Sequence, residues 1–321
     1  MRTIYAYLLL NVHTTSGDPD DELKDSRAAE NAAGGGRGTH HLRIRRRPRT
    51  QRPHETDGRL AGVTTVSDWS DLLEAEGPSF GTYVGELATP GLGRILKAAD
   101  CAFAFVDMEH SGFGFETARA VLGDLHSQGI ATLLRPPSKR PDHLQRAADV
   151  GAQGIVAPMV SSAEEARDLV AAIKYPPRGR RGVALGIAHD DFVARPVAEA
   201  LALADARTSA VALIETADGV KGCREIAAVE GIDALWIGHL DLSASLGVAG
   251  EFDHPSFVAA VGAVMAAARE RGLRVGRVVS SAEEGARVIG EGCDLVCYLG
   301  DAWLLRKALG EGIAEIRRLL D

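Results

Sequence analysis

From Ser79 onward the chain alternates short apolar runs with stretches rich in Ala, Leu, Glu and Arg at helical spacing. The runs are GTYV (81–84), AFAFVDM (102–108), ATLL (131–134), GIVAPM (154–159), AVALIE (210–215), ALWIG (234–238), RVGRVV (274–279) and DLVCYL (294–299). Helical spacing marks 115–127, 141–150, 163–174, 218–229, 255–270, 282–290 and 301–320. Helix starts carry the expected chemistry, with Pro141 after Arg140 and Ser161-Ser162 before Ala163-Glu164. Continuous apolar strands separated by helices argue for a parallel sheet covered by helices. Eight strands in about 240 residues is the count of a (β/α)8 TIM barrel. A doubly wound open sheet is the competing architecture. It would favour a G-x-G-x-x-G turn after the first strand, and GELATPGLG lacks that order.

The first 60 residues do not share this rhythm. They hold 11 Lys and Arg against 8 Asp and Glu, in a chain whose overall charge is −8. Acidic GDPDDELKDS, flexible AAGGGRG and basic HHLRIRRRPRTQRPHE show no strand or helix period, and few apolar groups are present to offset the entropy of ordering them. The expected organisation is therefore a poorly ordered extension over 1–60, or an over-long gene start, followed by a barrel over 61–321. MRTIYAYLLLNV has an arginine and an apolar run but no small-x-small cleavage site, so export is not expected.

Charge and composition exclude several classes. A net charge of −8 argues against a generally basic nucleic-acid surface, and the Arg43–Arg49 cluster reads as a solvated arm. No apolar run approaches the length of a membrane span. Four cysteines with no Cys-x-x-Cys pair give no disulfide framework, so a cytoplasmic protein is expected.

Barrel chemistry sits at the C-terminal ends of strands. The second strand ends Asp107-Met108-Glu109-His110, the third at Arg135 before two prolines, the fifth at Glu215, and the sixth at Gly238-His239-Leu240-Asp241. Glu215 and Asp241 on neighbouring strands suit a hard divalent ion such as Mg²⁺ or Mn²⁺; capping of the following turns is the other reading of both. Arg135 can stabilise an oxyanion, or simply pair with Glu109. His110 is a candidate general base, with Asp107, Glu109 or Asp149 available to orient it, and a structural histidine is equally compatible. The long segment YPPRGRRGVALGIAHDDFVARP is expected to reach over the barrel mouth, where His189, Asp190 and Asp191 would meet a substrate or merely water.

At these residues the chain resembles the HpcH/HpaI aldolase family, the metal-dependent class II pyruvate aldolases of the phosphoenolpyruvate/pyruvate barrel superfamily. The pieces are FAFVDMEHSGF, LLRPP, DVGAQGIVAPMVSSAEEAR, KYPPRGRRGVA, IETADGV and WIGHLDLSASLG, in family order across Gly81 to Gly310. The resemblance implies that Glu215 and Asp241 hold the divalent ion (Mg²⁺ or Mn²⁺, with Co²⁺ also in range) and that the pyruvyl end of a 2-oxo acid chelates it. It further implies that Arg135 stands beside the keto oxygen, that His110 relays protons oriented by Asp149, and that the backbone over Gly238, His239 and Leu240 receives the pyruvate carboxylate. Three positions differ from the family pattern: His239-Leu240 stands for Pro-Ala, Leu213 for a glutamine, and His189 for an arginine in the long loop.

The implied reaction is reversible cleavage of a 4-hydroxy-2-oxo acid to pyruvate and an aldehyde. No strand-end lysine suggests a Schiff base. The implied assembly is a homo-oligomer, a hexamer by the resemblance, for which the apolar stripe Leu304, Leu305, Leu309, Ile313, Ile316 and Leu320 is the candidate contact. A citrate-lyase-β-like or malyl-CoA-lyase-like acyl-CoA lyase, and an inactive barrel that only binds, are the alternatives.

Overall fold

The computed structural model describes residues 68–320. The expected 1–60 extension and its boundary lie outside the described residues. Eight parallel strands close in sequence order: β1 (Ser79–Val84), β2 (Phe103–Asp107), β3 (Ala131–Arg135), β4 (Gly154–Ala157), β5 (Ser209–Ile214), β6 (Ile232–Ile237), β7 (Arg274–Val279) and β8 (Leu295–Gly300). Phe80 of β1 pairs with Val296 of β8 and seals the barrel, so the open-sheet alternative is excluded.

The strands bury both faces, and the two-residue period divides the labour. Ala104, Val106, Leu134, Ala212, Ile214, Leu235 and Ile237 join the large cluster shared with the helices. Phe103, Phe105, Leu133, Leu213, Trp236, Leu295 and Cys297 form a second, inner cluster. Rings this large need missing side chains opposite them. A Cβ on Gly276 would fall 2.1 Å from the Trp236 ring, so only glycine fits.

The helix preceding the barrel, α1 (Trp69–Glu74), supplies its stopper. Trp69 is fully buried with the inner cluster, edge-on to Phe103 at 5.9 Å, and Gly154 gives it room. Arg274, on β7, donates to the carbonyls of Leu72 (2.6 Å), Ala75 (2.9 Å) and Gly77, tying this segment to the floor.

The outer layer comprises α2 (Leu92–Ala98), α3 (Phe115–Ser127), α4 (Pro141–Asp149), α5 (Ala163–Ile173), α6 (Val197–Arg207), α7 (Ala217–Lys221), α8 (Cys223–Ala227), α9 (His239–Ser245), α10 (Pro255–Arg271), α11 (Ala282–Glu291) and α12 (Asp301–Leu320). The helix expected over 218–229 is divided into α7 and α8 at Gly222, which lies 3.1 Å (as a virtual Cβ) from the Ser161 carbonyl. A capping serine opens α5, where Ser162 Oγ accepts from Glu165 N.

In α12 only Asp301 is buried, and Trp303, Leu305, Leu309, Ile313, Ile316 and Leu320 are all largely exposed. Trp303 packs on Tyr83 and Leu304 is half-buried, whereas the stripe from Leu305 to Leu320 is left open. All four cysteines are free thiols. Among the described residues no helix is long and apolar enough to cross a membrane.

Candidate active site

The inner-face period carries straight from the core into the mouth. Phe103 and Phe105 lead to Asp107, Ala131 and Leu133 to Arg135, Val211 and Leu213 to Glu215, and Ala234 and Trp236 to Gly238. Each strand thus spends its apolar inward positions below and places one polar or unsubstituted position at the top.

Asp107 and Arg135 face each other in the β2–β3 register. Arg135 Nε donates to Asp107 Oδ1 at 2.6 Å, while its Nη1 sits 3.1 Å from Glu109 Oε2 in an ion contact without hydrogen-bond alignment. Asp107 has no exposed surface. Burial opposes its ionisation, but the hydrogen bond and charge of Arg135, then Tyr83 and the His110 amide, hold its pKa below the usual carboxylate value. Burial also opposes the guanidinium charge, and Asp107, Glu109 and Glu215 outweigh it, so Arg135 stays cationic.

Glu215 follows β5 and is almost fully buried. Its Oε1 accepts from Met159 N at 2.7 Å. Met159 adopts φ +55°, a conformation that non-glycine residues rarely take, and this turns its amide toward the site. Its carbonyl accepts from Lys139 Nζ at 2.8 Å, and Lys139 in turn pairs with Glu165. On the opposite side Gly238 lies so close that a Cβ would stand 2.5 Å from Glu215 Oε2. Burial, with Glu109 and Asp241 adding and Met159 N–H and Arg135 opposing, pushes the Glu215 pKa up to about 7.

Three carboxylates, Asp107, Glu109 and Glu215, thus act on one guanidinium, and Asp241 in turn acts on Glu109 and Glu215. Among the described residues no group of three or more His, Cys, Asp or Glu is arranged to hold a metal by itself. Glu215 and Asp241 nonetheless fit a hard divalent ion, which commonly takes one or two carboxylates and fills the remaining positions with water or substrate oxygens. A carboxylate pushed toward neutrality by burial, and further by neighbouring acids, is a group that a cation would keep ionised.

The other expected site residues divide between the two ends of the barrel. His110 is at the mouth, 64% exposed, with Nε2 4.0 Å from Glu109 Oε2. Leu240 is exposed at the start of α9, and Asp241 follows it in the first turn. The His239 ring turns away from the opening: it lies edge-on to Phe252 at 5.3 Å, and burial together with Arg277 lowers its pKa to about 4.

Asp149 and His189 are at the opposite rim. A helix that follows a strand starts at the mouth and ends at the far end, and Asp149 is the last residue of α4. It accepts from Arg181 Nη2 at 2.7 Å and Nε at 3.1 Å, so within one chain Arg181, not His110, is its partner. The long segment leaves the far end of α5, and its Phe192 lies along α3 against Arg119. His189 approaches Tyr175 Oη at 3.3 Å and lines a cavity of about 150 Å³ with Gln153 and Thr208, which immediately precede β4 and β5. Within one chain His189 thus neighbours residues at the starts of β4 and β5 rather than the strand-end carboxylates. The carboxylate beside His110 is Glu109.

Sequence reasoning also missed Tyr83, whose hydroxyl donates to Asp107 Oδ2 at 2.7 Å, and the Lys139–Met159 clamp. The inward position of Tyr83 on β1 was the available signal for the first. Nothing in the sequence marks a left-handed Met159.

This geometry has known counterparts. The chain is 31% identical over 236 residues to a 4-hydroxy-2-oxo-heptane-1,7-dioate aldolase of Escherichia coli, covering 74% of this chain and 89% of the relative. The crystal structure of an HpcH/HpaI aldolase from Desulfitobacterium hafniense superposes with a TM-score of 0.74 at 30% identity, covering 78% of this chain and 97% of that one. A family protein from Burkholderia cenocepacia gives 0.72 at 27% identity, covering 77% and 98%. The pattern of conserved positions that defines one enzyme family matches residues 87–300, and the chain belongs to that family, HpcH/HpaI aldolase/citrate lyase.

Proposed function

We propose that this protein is a divalent-metal-dependent aldolase that reversibly cleaves a 4-hydroxy-2-oxo acid to pyruvate and an aldehyde. The observation that carries the reading is the mouth itself: one buried guanidinium, aimed by Asp107, among carboxylates that exceed it in charge. The substrate class is supported by the name of the curated relatives, 4-hydroxy-2-oxo-heptane-1,7-dioate aldolase. A Mg²⁺ or Mn²⁺ ion held by Glu215 and Asp241 would supply Lewis-acid polarisation of the keto oxygen.

The chain's own groups account for the rest. In cleavage the proton leaves the 4-hydroxyl, the C3–C4 bond breaks with its electrons passing to the 2-oxo group, and the aldehyde forms. In this reading His110 accepts that proton, which its exposed position at the mouth beside Glu109 supports. Arg135 donates toward the oxygen on which charge grows, from a site where little water competes. Protonation of the pyruvate enolate at carbon completes the reaction, and the reverse sequence adds pyruvate to an aldehyde.

The test is a Mg²⁺- or Mn²⁺-supplemented screen of 4-hydroxy-2-oxo acids, following pyruvate release. Turnover of free acids that chelation abolishes is expected. Cleavage of acyl-CoA thioesters with no activity on free acids would replace this reading with an acyl-CoA lyase.

A further inference from the structure

Tyr83 belongs neither to the metal pair nor to the proton path, yet its setting is built with unusual economy. Its ring stacks on Phe105 (centroids 6.0 Å apart, planes 17° apart) and leans on Trp303 at 5.3 Å. Two glycines keep the slot open: a Cβ on Gly85 would come 2.6 Å from the ring, and one on Gly300 2.8 Å. Burial, and then the Asp107 carboxylate, push the phenol pKa well above its usual value, so the hydroxyl remains a donor.

The acceptor is fully committed. Asp107 Oδ1 takes Arg135 Nε at 2.6 Å and the Glu109 amide at 3.1 Å; Oδ2 takes Tyr83 Oη at 2.7 Å and the His110 amide at 3.0 Å. A planar carboxylate with directional donors on both oxygens has little freedom to rotate. Without the phenol, Oδ2 would keep only the longer His110 N–H bond, and the carboxylate that aims Arg135 would lose the shorter of the two bonds on that oxygen.

We propose that Tyr83 is a positioning residue: its hydroxyl locks the rotation of the Asp107 carboxylate and thereby sets the direction of the Arg135 guanidinium. The kinetic part rests on the aldolase reading above; the geometric part does not.

The test uses the full chain and Tyr83→Phe, which removes one oxygen and leaves the ring in its slot. Three quantities are measured: pyruvate-forming kinetics at saturating Mg²⁺, thermal unfolding, and solvent exchange of the Arg135 Nε–H by ¹⁵N NMR. The expected result is a kcat lower by about tenfold, the scale of one hydrogen bond lost, with KM changed less than about twofold. Exchange at Arg135 Nε–H should accelerate, and Tyr83→Phe should have no further effect in an Asp107→Asn background. Unchanged exchange and unchanged kcat would overturn the proposal, as would a kcat loss that simply adds to that of Asp107→Asn. Should the unaltered protein release no pyruvate from any 4-hydroxy-2-oxo acid, the aldolase reading fails and the exchange measurement alone decides the role of Tyr83. Should Tyr83→Phe not fold, exchange in the unaltered protein decides: Arg135 Nε–H must be protected, and exchange as fast as at exposed arginines would refute the lock.

Discussion

Arg135 reaches the barrel mouth only through Asp107: the two stand opposite each other at the tops of adjacent strands, 2.6 Å apart, and the carboxylate that aims the guanidinium sees no solvent. Structural and chemical roles therefore meet in one contact, and substitutions on its two sides should separate them. Asp107→Asn leaves a buried guanidinium with Glu109 as its remaining close carboxylate and should destabilise the fold by about 3 kcal/mol. Arg135→Lys keeps the charge but loses the planar fork; kcat and kcat/KM should fall together by about 10²–10³-fold. Thermal unfolding and pyruvate-forming kinetics on both variants check this, and near-normal turnover in folded, metal-loaded Arg135→Lys would sink the catalytic role.

Metal binding has a readout that needs no substrate. An ion bound only by the folded state raises stability by about 2.7 kcal/mol at a hundredfold excess over Kd, so Mg²⁺ or Mn²⁺ should raise the melting temperature of chelator-treated protein. Glu215→Gln should abolish that rise and Asp241→Asn should weaken it. An undiminished rise in both variants would locate the ion elsewhere.

Gly238 offers a second route to the same ligand. Because a methyl group there would stand 2.5 Å from Glu215 Oε2, Gly238→Ala must displace the carboxylate or the loop. Loss of metal affinity by at least about tenfold, with a melting temperature close to normal in chelator, is the expected pattern, following the cost of misplacing one ligand or its support. Calorimetric titration with Mn²⁺ measures it directly.

Away from the mouth, His126 should make stability fall in mild acid. Its Nε2 lies 2.8 Å from Thr132 Oγ1, and burial lowers its pKa to about 4 from the usual 6.5. Between those values the unfolded chain binds a proton that the folded chain refuses, so stability rises with pH across this window and is lost as pH falls from 6.5 toward 4. Urea unfolding of the parent and of His126→Gln at pH 7.5 and pH 5 should give a smaller pH effect in the variant. Equal pH effects would exclude His126 as the source.

The exposed stripe on α12 bears on assembly. Exposed apolar residues on successive turns, Leu305, Leu309, Ile313, Ile316 and Leu320, favour a homo-oligomer. Light scattering at micromolar concentration should find a species larger than a monomer, and Leu309→Lys with Ile313→Lys should shift it toward monomer. A parent chain that is monomeric throughout would refute this.

The residues that share a face were legible because one rule governs them. Strand β7 and helices α3 and α12 lie where hydrophobic period placed them, and Asp107, Arg135 and Glu215 were found by asking which apolar strands end in a charge. What failed was the vertical coordinate. Asp149 and His189 carry suitable chemistry, and nothing local in their sequence says which rim they occupy; the chain direction of α4 and α5 does. DLSAS (241–245) reads as a turn that Asp241 could cap, whereas a seven-residue helix, His239–Ser245, starts there after Gly238. The Met159 backbone was invisible for a different reason: its conformation is imposed by Lys139 and Glu215, which are distant in sequence.

Trp69 has a consequence for the order in which this molecule can assemble. It stands at the beginning of the described chain, yet the seat it fills is made by Phe103, Leu133 and Gly154, and its helix is tied down by Arg274, 202 residues beyond Leu72. On a ribosome, where residues emerge from the N-terminus, the indole is synthesised long before its anchor exists. Contacts so remote in sequence wait for the loop between them to close, which places them among the slow events of folding. A segment made before any strand of the barrel is thus among the last to be fixed, because its anchor on β7 comes so much later.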